Sequence, residues 1–239
     1  MEKSKLERFI NKYNLGGSCE SVILSSNGNS LSVRSISDDK NVLIETSVDN
    51  VNFPAGEFGV FETKKLRSIL NVLDDTLVVS VIENNNIISG LSISDNSTKA
   101  TFVLADTTVI PVVPELKKIP PMELTIQLDE KFVNTFVKAK SALNDVETFA
   151  VISDGETSVA SIVIGHSSLN TNRISIAAQI DSPAKMAPIN FSANYLREIL
   201  VANKEIKTGT LEVSSKGIAM VKFNMNDYVA TYYLVQITA

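Results

Sequence analysis

Nucleophilic or general-base chemistry in these 239 residues would have to come from His166 or Cys19, since each is the sole member of its type. Gly165-His166-Ser167-Ser168 sets an imidazole beside two hydroxyls, the pairing that activates a serine nucleophile. The segment follows a strand-like run, Val159–Ile164, and leads into polar loop residues, so it reads as a turn histidine. Asp38-Asp39 and Asp74-Asp75 have the composition of an acid/base pair. Adjacent carboxylates at a turn or a helix end are ordinarily solvated, and these read that way. Gly16-Gly17 has no phosphate-loop lysine after it and reads as a helix C-terminal break. Cys19 opens a strand and reads as a small half-buried residue; one thiol allows neither an internal disulfide nor a multi-thiolate zinc site. No GxxxxGK[ST], GxGxxG, HExxH, GxSxG or EF-hand spacing occurs. The expectation is a chain that is not an enzyme and holds no metal or cofactor.

The formal net charge of −5 argues against a uniform basic coat for nucleic acid, though not against a basic stripe. No apolar run approaches the roughly 18 residues that span a bilayer. Met1-Glu-Lys-Ser-Lys-Leu-Glu-Arg lacks the apolar centre of a secretory signal, so the expected location is the cytoplasm, with no membrane partner. Val, Ile and Thr supply 64 residues, a bias toward strands.

The elements that position any site are written twice. Phe61-Glu-Thr-Lys-Lys-Leu66-Arg67-Ser-Ile69-Leu70 recurs as Phe191-Ser-Ala-Asn-Tyr-Leu196-Arg197-Glu-Ile199-Leu200, with five of ten positions identical at an offset of 130. Val22-Ile-Leu-Ser-Ser26-Asn-Gly28 echoes Phe149-Ala-Val-Ile-Ser153-Asp-Gly155 at an offset of 127, and Phe9-Ile10 echoes Phe136-Val137 at the same spacing. One loop insertion accounts for the difference, and three matches in order indicate a duplication. Between the copies, Pro111-Val-Val-Pro114-Glu-Leu-Lys-Lys-Ile-Pro120-Pro121 holds four of the seven prolines, so it should be an extended connector outside any central strand. The expected organisation is therefore a first domain 1–110, a connector 111–121 and a second domain 122–239.

Each half repeats one order: amphipathic helix, strands, second helix, three strands. Leu6, Phe9, Ile10 and Tyr13 share one helical face, and Phe132, Val133, Phe136, Val137 and Lys140 follow the same spacing. Leu66, Ile69, Leu70 and Leu73, and later Leu196, Ile199 and Leu200, mark the second helices. Strand alternation is clear at Ile87–Ile93, Thr98–Leu104, Arg173–Ile180 and Val229–Val235. Hairpin signals fall at Asn84-Asn-Asn86, Asp95-Asn96, Asp154-Gly155, Lys216-Gly217 and Asn226-Asp227. The fold class is α+β, two duplicated β-rich domains each carrying two helices.

Charge follows the elements. With helices at 1–13, 62–73, 129–141 and 192–204, the helices hold twelve cations against six acids, while the rest of the chain carries −11. Solvation explains exposed charge but not its sign; a polyanion facing all four helices would explain both. Their polar faces lack interleaved aromatics for stacking single strands, and they lack base-reading clusters. The charge pattern alone leaves both readings open, solvated helix faces or a polyanion met through sequence-independent phosphate contacts.

The duplication, the basic helices, the acidic strand-rich remainder and the proline connector together resemble the DNA polymerase sliding clamps of large tailed bacteriophages, relatives in fold of proliferating cell nuclear antigen. Leu66-Arg-Ser-Ile-Leu70-Asn-Val-Leu-Asp-Asp75 with Thr101-Phe-Val-Leu-Ala-Asp106 resembles the end of their first domain. Lys216-Gly217-Ile-Ala-Met-Val-Lys-Phe223, then Asn226-Asp-Tyr-Val-Ala230 and Tyr232-Tyr233-Leu234-Val235, resembles their C-terminal hairpin. The resemblance implies a DNA-clamp fold assembled as a homotrimeric ring of pseudo-sixfold symmetry. It implies helices that line a hole around duplex DNA and a ring that tethers the replicative polymerase, in the host cell cytoplasm. It also implies a clamp-loader ATPase as partner and, more weakly, late-transcription factors. The implied DNA-facing cations are Lys5, Arg8, Lys12, Lys65, Arg67, Lys131, Lys138, Lys140, Arg197 and Lys204. The implied partner-peptide groove comprises Val109, Ile110, Val112, Val113 and Leu116 of the connector with Tyr233, Leu234 and Val235; the plainer reading is that such residues seal the seam between the halves, and for Leu234 the two readings weigh equally. The implied subunit interface pairs Thr98, Ala100, Phe102 and Leu104 with Ile174, Ile176, Ala178 and Ile180, so that Ile176→Lys should release folded monomers. One departure stands out: the family opens with a strand before its first helix, as Leu124–Leu128 does in the second half, whereas only Met1–Ser4 is available in the first.

Rival readings are a monomeric processivity factor that binds DNA on one face and a β-rich virion or adhesion protein. Subunit mass separates the first, and the helix-localised charge speaks against the second.

Overall fold

The computed structural model describes residues 1–85, 87–116, 118–169, 171–205 and 208–237. The chain divides into two compact units. One comprises Met1–Asp38, Ile44–Pro114 and Met225–Ala230; the other comprises Asp39–Leu43, Glu115–Asn224 and Thr231–Ala239. The first unit thus keeps the connector as far as Pro114 and takes in a six-residue turn from near the C-terminus. Asn86 of the expected hairpin and Lys117 of the connector lie outside the described residues.

In the first half the order is α1 (Lys3–Asn14), β1 (Val22–Ser26), β2 (Ser30–Ile36), β3 (Val42–Asp49), β4 (Gly56–Val60), α2 (Thr63–Leu70), β5 (Val78–Asn84), β6 (Ile87–Ser94) and β7 (Lys99–Val103). The strands run β4-β1-β2-β3 in one sheet and β5-β6-β7 in another. The expected apolar face of α1 is the core: Leu6, Phe9, Ile10 and Tyr13 are buried, as are Leu66 and Leu70 of α2, and α1 packs on α2 and β2. Tyr13 brings its hydroxyl into that interior, where Thr63 Oγ1 donates to it at 3.4 Å, and burial pushes the phenol pKa up. At the far end of α2, Asp95 accepts from the amides of Asp74, Ser97 and Thr98, which ties the β6–β7 turn to the helix end. Those amide bonds hold its carboxyl down to about 2.

The second half contains β8 (Leu124–Asp129), α3 (Glu130–Ala142), β9 (Thr148–Asp154), β10 (Val159–Ile164), β11 (Ile174–Gln179), β12 (Lys185–Ser192), α4 (Ala193–Ala202), β13 (Thr208–Ser214), β14 (Ile218–Met225) and β15 (Tyr228–Val235). The sheets run β11-β10-β9-β12 and β15-β14-β13-β8. Asp129 caps α3 by accepting from Phe132 N, and Ser192 caps α4 by accepting from Tyr195 N. Phe132, Phe136, Phe149 and Phe191 run through the core as a chain of ring contacts, with centroids 5.6–6.1 Å apart.

The difference at the N-terminus has a plain form. Where β8 pairs with β13 over six residues, the stretch before α1 makes a single bridge, Glu2 to Thr76. Close to β7, Gly59 allows a tight crossing: a Cβ there would collide with the Ala105 carbonyl, and Ala105 N donates to Gly59 O at 2.8 Å.

Candidate nucleic-acid interface and partner strip

Lys5, Arg8 and Lys12 fall at i, i+3 and i+7, so they share one face of α1. That face meets the Asn226–Tyr228 turn within the first unit. Lys5 Nζ lies 2.6 Å from Asp227 Oδ2 and also donates to Asn50 O. The Lys5 ammonium, then the Asn50 amide, hold the Asp227 carboxyl below the usual carboxylate range. The Arg8 guanidinium and the Lys12 ammonium sit 5.3 and 5.1 Å from the centre of the Tyr228 ring, within cation–π reach. Lys12 is fully buried. Its expected phosphate-facing role is corrected: the α1 stripe is turned onto an aromatic ring and a carboxylate of its own chain.

On α2, Lys64, Lys65 and Arg67 are exposed, with Arg67 reaching Asn14 Oδ1 at 3.5 Å. Lys64, outside the expected set, adjoins Lys65 on the same exposed turn. On α3, Lys131 and Lys138 are exposed. Lys140 is buried and donates to the carbonyls of Leu143 and Asn144 at 3.4 and 2.9 Å, so it closes the helix C-terminus. This is the second correction, since a lysine spent on helix carbonyls cannot face phosphate. Arg197 on α4 is half-buried and paired with its neighbour Glu198, while Lys204 lies exposed past the helix end. The helices carry eleven cations against three carboxylates.

β7 and β11 are both sheet edges, as expected. Their side chains are in a different phase. Phe102, Ile176, Ala178 and Ile180 are buried inside their own units, and Thr98, Ala100, Leu104 and Ile174 are half-buried. The interface assignment is therefore corrected for the four buried residues: alternation sends them into the core and turns their neighbours out. Leu104 N donates to Ser89 O on β6, and Ile180 N donates to Ser158 O beside β10. By the two-residue period, the backbone groups of Thr101 and Val103, and of Ser175 and Ala177, point off the open edges, while the end of β11 is bridged to β8 at Ile180 and Ile126, with Asp181 N donating to Thr125 O at 3.2 Å.

The connector begins with Val109, exposed, and Ile110, buried. Val112 is 92% exposed, Val113 half-buried, and Leu116, in the second unit, is exposed. Arg34 on β2 fastens the strip: its guanidinium donates to Pro114 O at 2.6 Å and Val113 O at 3.5 Å, and pairs with Glu45 at 2.9 Å. Between the outer face of β1–β2 and Ile110–Val113 lies a cleft of about 280 Å³. In the second unit Tyr233 is half-buried, Val235 exposed and Leu234 wholly buried. Ile110 is thus corrected from a contact residue to core, and Leu234, which the sequence leaves open between contact and sealing, is buried. Arg34 carried no sequence signal, because its partners are carbonyls far along the chain.

Among solved structures, proliferating cell nuclear antigen from Entamoeba histolytica matches with a TM-score of 0.76 at 14% identity, over 99% of this chain and 96% of that one. The fold is that of proliferating cell nuclear antigen. The PCNA2–PCNA3 complex from Sulfolobus tokodaii matches this clamp fold with a TM-score of 0.73 at 12% identity, over 99% of this chain and 97% of that one. No protein-family model matches the sequence, and no curated protein does. Among the described residues no helix is long and apolar enough to cross a membrane, and no cluster of three His, Cys, Asp or Glu has the arrangement of a metal site.

Proposed function

We propose that this chain is the subunit of a sliding clamp, a scaffold and not a catalyst, which closes as a homotrimer around duplex DNA and tethers a replicative polymerase. The observation that carries the reading is the full-length clamp fold, with a TM-score of 0.76 over 99% of the chain. The net positive charge on its helices supports it. A sliding tether needs screened phosphate contacts and no base reading, which exposed lysines without base-reading neighbours provide. Open edges at β7 and β11 supply backbone groups for closing a ring by strand pairing. In the phage-like version of this reading, a clamp-loader ATPase opens the ring, and late-transcription factors use the same partner strip.

Light scattering on the full chain tests the assembly. The expected mass is three times the 26.0 kDa subunit; one subunit mass would leave the monomeric, non-encircling factor in its place. The companion measurement is retention on closed circular duplex DNA after loading, with release on linearisation.

The partner strip makes its own prediction. Val112 is 92% exposed, so Val112→Asp should leave folding and mass unchanged. Truncating a central apolar contact commonly costs about 2 kcal/mol, or some thirtyfold in affinity, and a carboxylate should cost more. Calorimetry with a polymerase C-terminal peptide should therefore show at least thirtyfold weaker binding, and wild-type affinity would move the partner site elsewhere.

A further inference from the structure

The two halves differ in how one sheet edge is closed. β13, Thr208–Ser214, lies 130 residues after β5, Val78–Asn84, the same offset that relates α4 to α2. The outer edge of β13 is covered by β8 in antiparallel register, from Thr208 opposite Asp129 to Val213 opposite Leu124. The outer edge of β5 has no such strand among the described residues. It receives Lys3 N on Asp75 O at 2.8 Å, and Leu77 N gives to Met1 O at 2.9 Å.

The geometry of the uncovered part follows from the ladder. Leu77 directs its N–H to the outer edge, so Val79 and Val81, two and four residues on, direct their N–H and C=O groups the same way. Their side chains lie half-buried, whereas Gly209 and Leu211, the residues 130 positions later, are buried beside β8. Edge strands in soluble proteins are commonly blunted by lysine, proline or a cover. Val78-Val-Ser-Val-Ile-Glu-Asn84 has neither residue type.

We propose that the outer edge of β5 takes up an extended peptide segment of a partner protein, antiparallel to β5, as β13 takes up β8. The repeat itself states the chemistry of the occupant. β8 presents Leu124, Ile126 and Leu128 to the core and Thr125, Gln127 and Asp129 outward, so the guest strand carries alternate apolar side chains. Exposed Glu2 and Asp75 flank one end of the edge and Glu83 the other, so its flanks are basic. Main-chain hydrogen bonds supply affinity and the alternate pockets supply selectivity, the usual division in strand addition.

The probe is a synthetic peptide of the β8 sequence Leu124–Leu128 with two added lysines at each end, titrated into the full chain. Amide hydrogen exchange should slow at least tenfold at Val79 and Val81 on saturation. The same peptide N-methylated on the amides that face β5 should show at least tenfold weaker binding. Val81→Pro, which removes an outward N–H and no bond to β6, should do likewise; the methylated peptide reads the same bonds on the unaltered protein should that variant fail to fold. Protection at β7 or β11 in place of β5, or equal binding of the methylated peptide, overturns the proposal. So does a free chain whose Val79 and Val81 amides are already protected in a concentration-dependent oligomer, because a second copy then holds the edge.

Discussion

Ile176→Lys is expected to unfold the chain, not to release folded monomers from a ring. Ile176 is 7% exposed, and it faces the core of the second unit from β11. Removing a buried isoleucine costs about 2–5 kcal/mol, and burying an unpaired ammonium adds to that. The sum meets or exceeds much of the roughly 5–15 kcal/mol that holds a domain folded. Far-UV dichroism and thermal melting should show the native transition lost, or the midpoint lowered by more than 10 °C. The residues that test the ring lie one position away. Ala177→Pro on β11, or Thr101→Pro on β7, deletes an outward N–H and leaves the inward ladder intact, which edge strands tolerate. Either variant should remain folded and scatter as a single 26.0 kDa subunit. A native-like Ile176→Lys monomer would restore the outward orientation of that side chain, and trimeric proline variants would remove β7 and β11 from the interface.

This reversal shows which part of the architecture the sequence carried. Alternation at Arg173–Ile180 located a strand, and its sheet-edge position is what the fold displays. Alternation also has a phase, and an edge strand with apolar residues on one side serves its own core first. From the chain alone no partner sheet is visible, so the apolar side of the strand is as compatible with an interface as with its own core. The same reasoning separates the helices. Leu6, Phe9, Ile10 and Tyr13 were legible because the helical period sorts apolar residues onto one stripe. Lys12 and Lys140 were not, because their neighbours at Tyr228 and at the Leu143 and Asn144 carbonyls come from tertiary placement and helix termination. Lys140 lies on the apolar spacing of α3, and that spacing foretold burial better than its charge foretold exposure. The open outer edge of β5 could not be read, because an open edge is a property of the sheet and not of any one segment.

Neutralising the exposed helix cations should change DNA binding in a way that neutralising the buried ones does not. Lys64 and Lys65 on α2, and Lys131 and Lys138 on α3, are exposed at their helix surfaces. A lysine contacting phosphate releases about 0.9 of a counterion, so each lost contact lowers the slope of log affinity against log salt by about that amount. The fourfold Lys→Gln variant should therefore bind duplex DNA with a slope smaller by about 3–4 if all four reach phosphate at once. Sequence preference should be unchanged, since phosphate contacts carry none. Lys12→Met and Lys140→Met are the controls. Their ammonium groups are occupied by the Tyr228 ring and by two helix-end carbonyls, so the salt slope should stay at the wild-type value while the melting temperature falls. Fluorescence titrations of duplex DNA across a salt series distinguish the outcomes. An unchanged slope for the fourfold variant would take α2 and α3 away from the DNA. A reduced slope for the Lys12 and Lys140 variants would mean that α1 and the end of α3 give up their internal partners to phosphate when the duplex arrives.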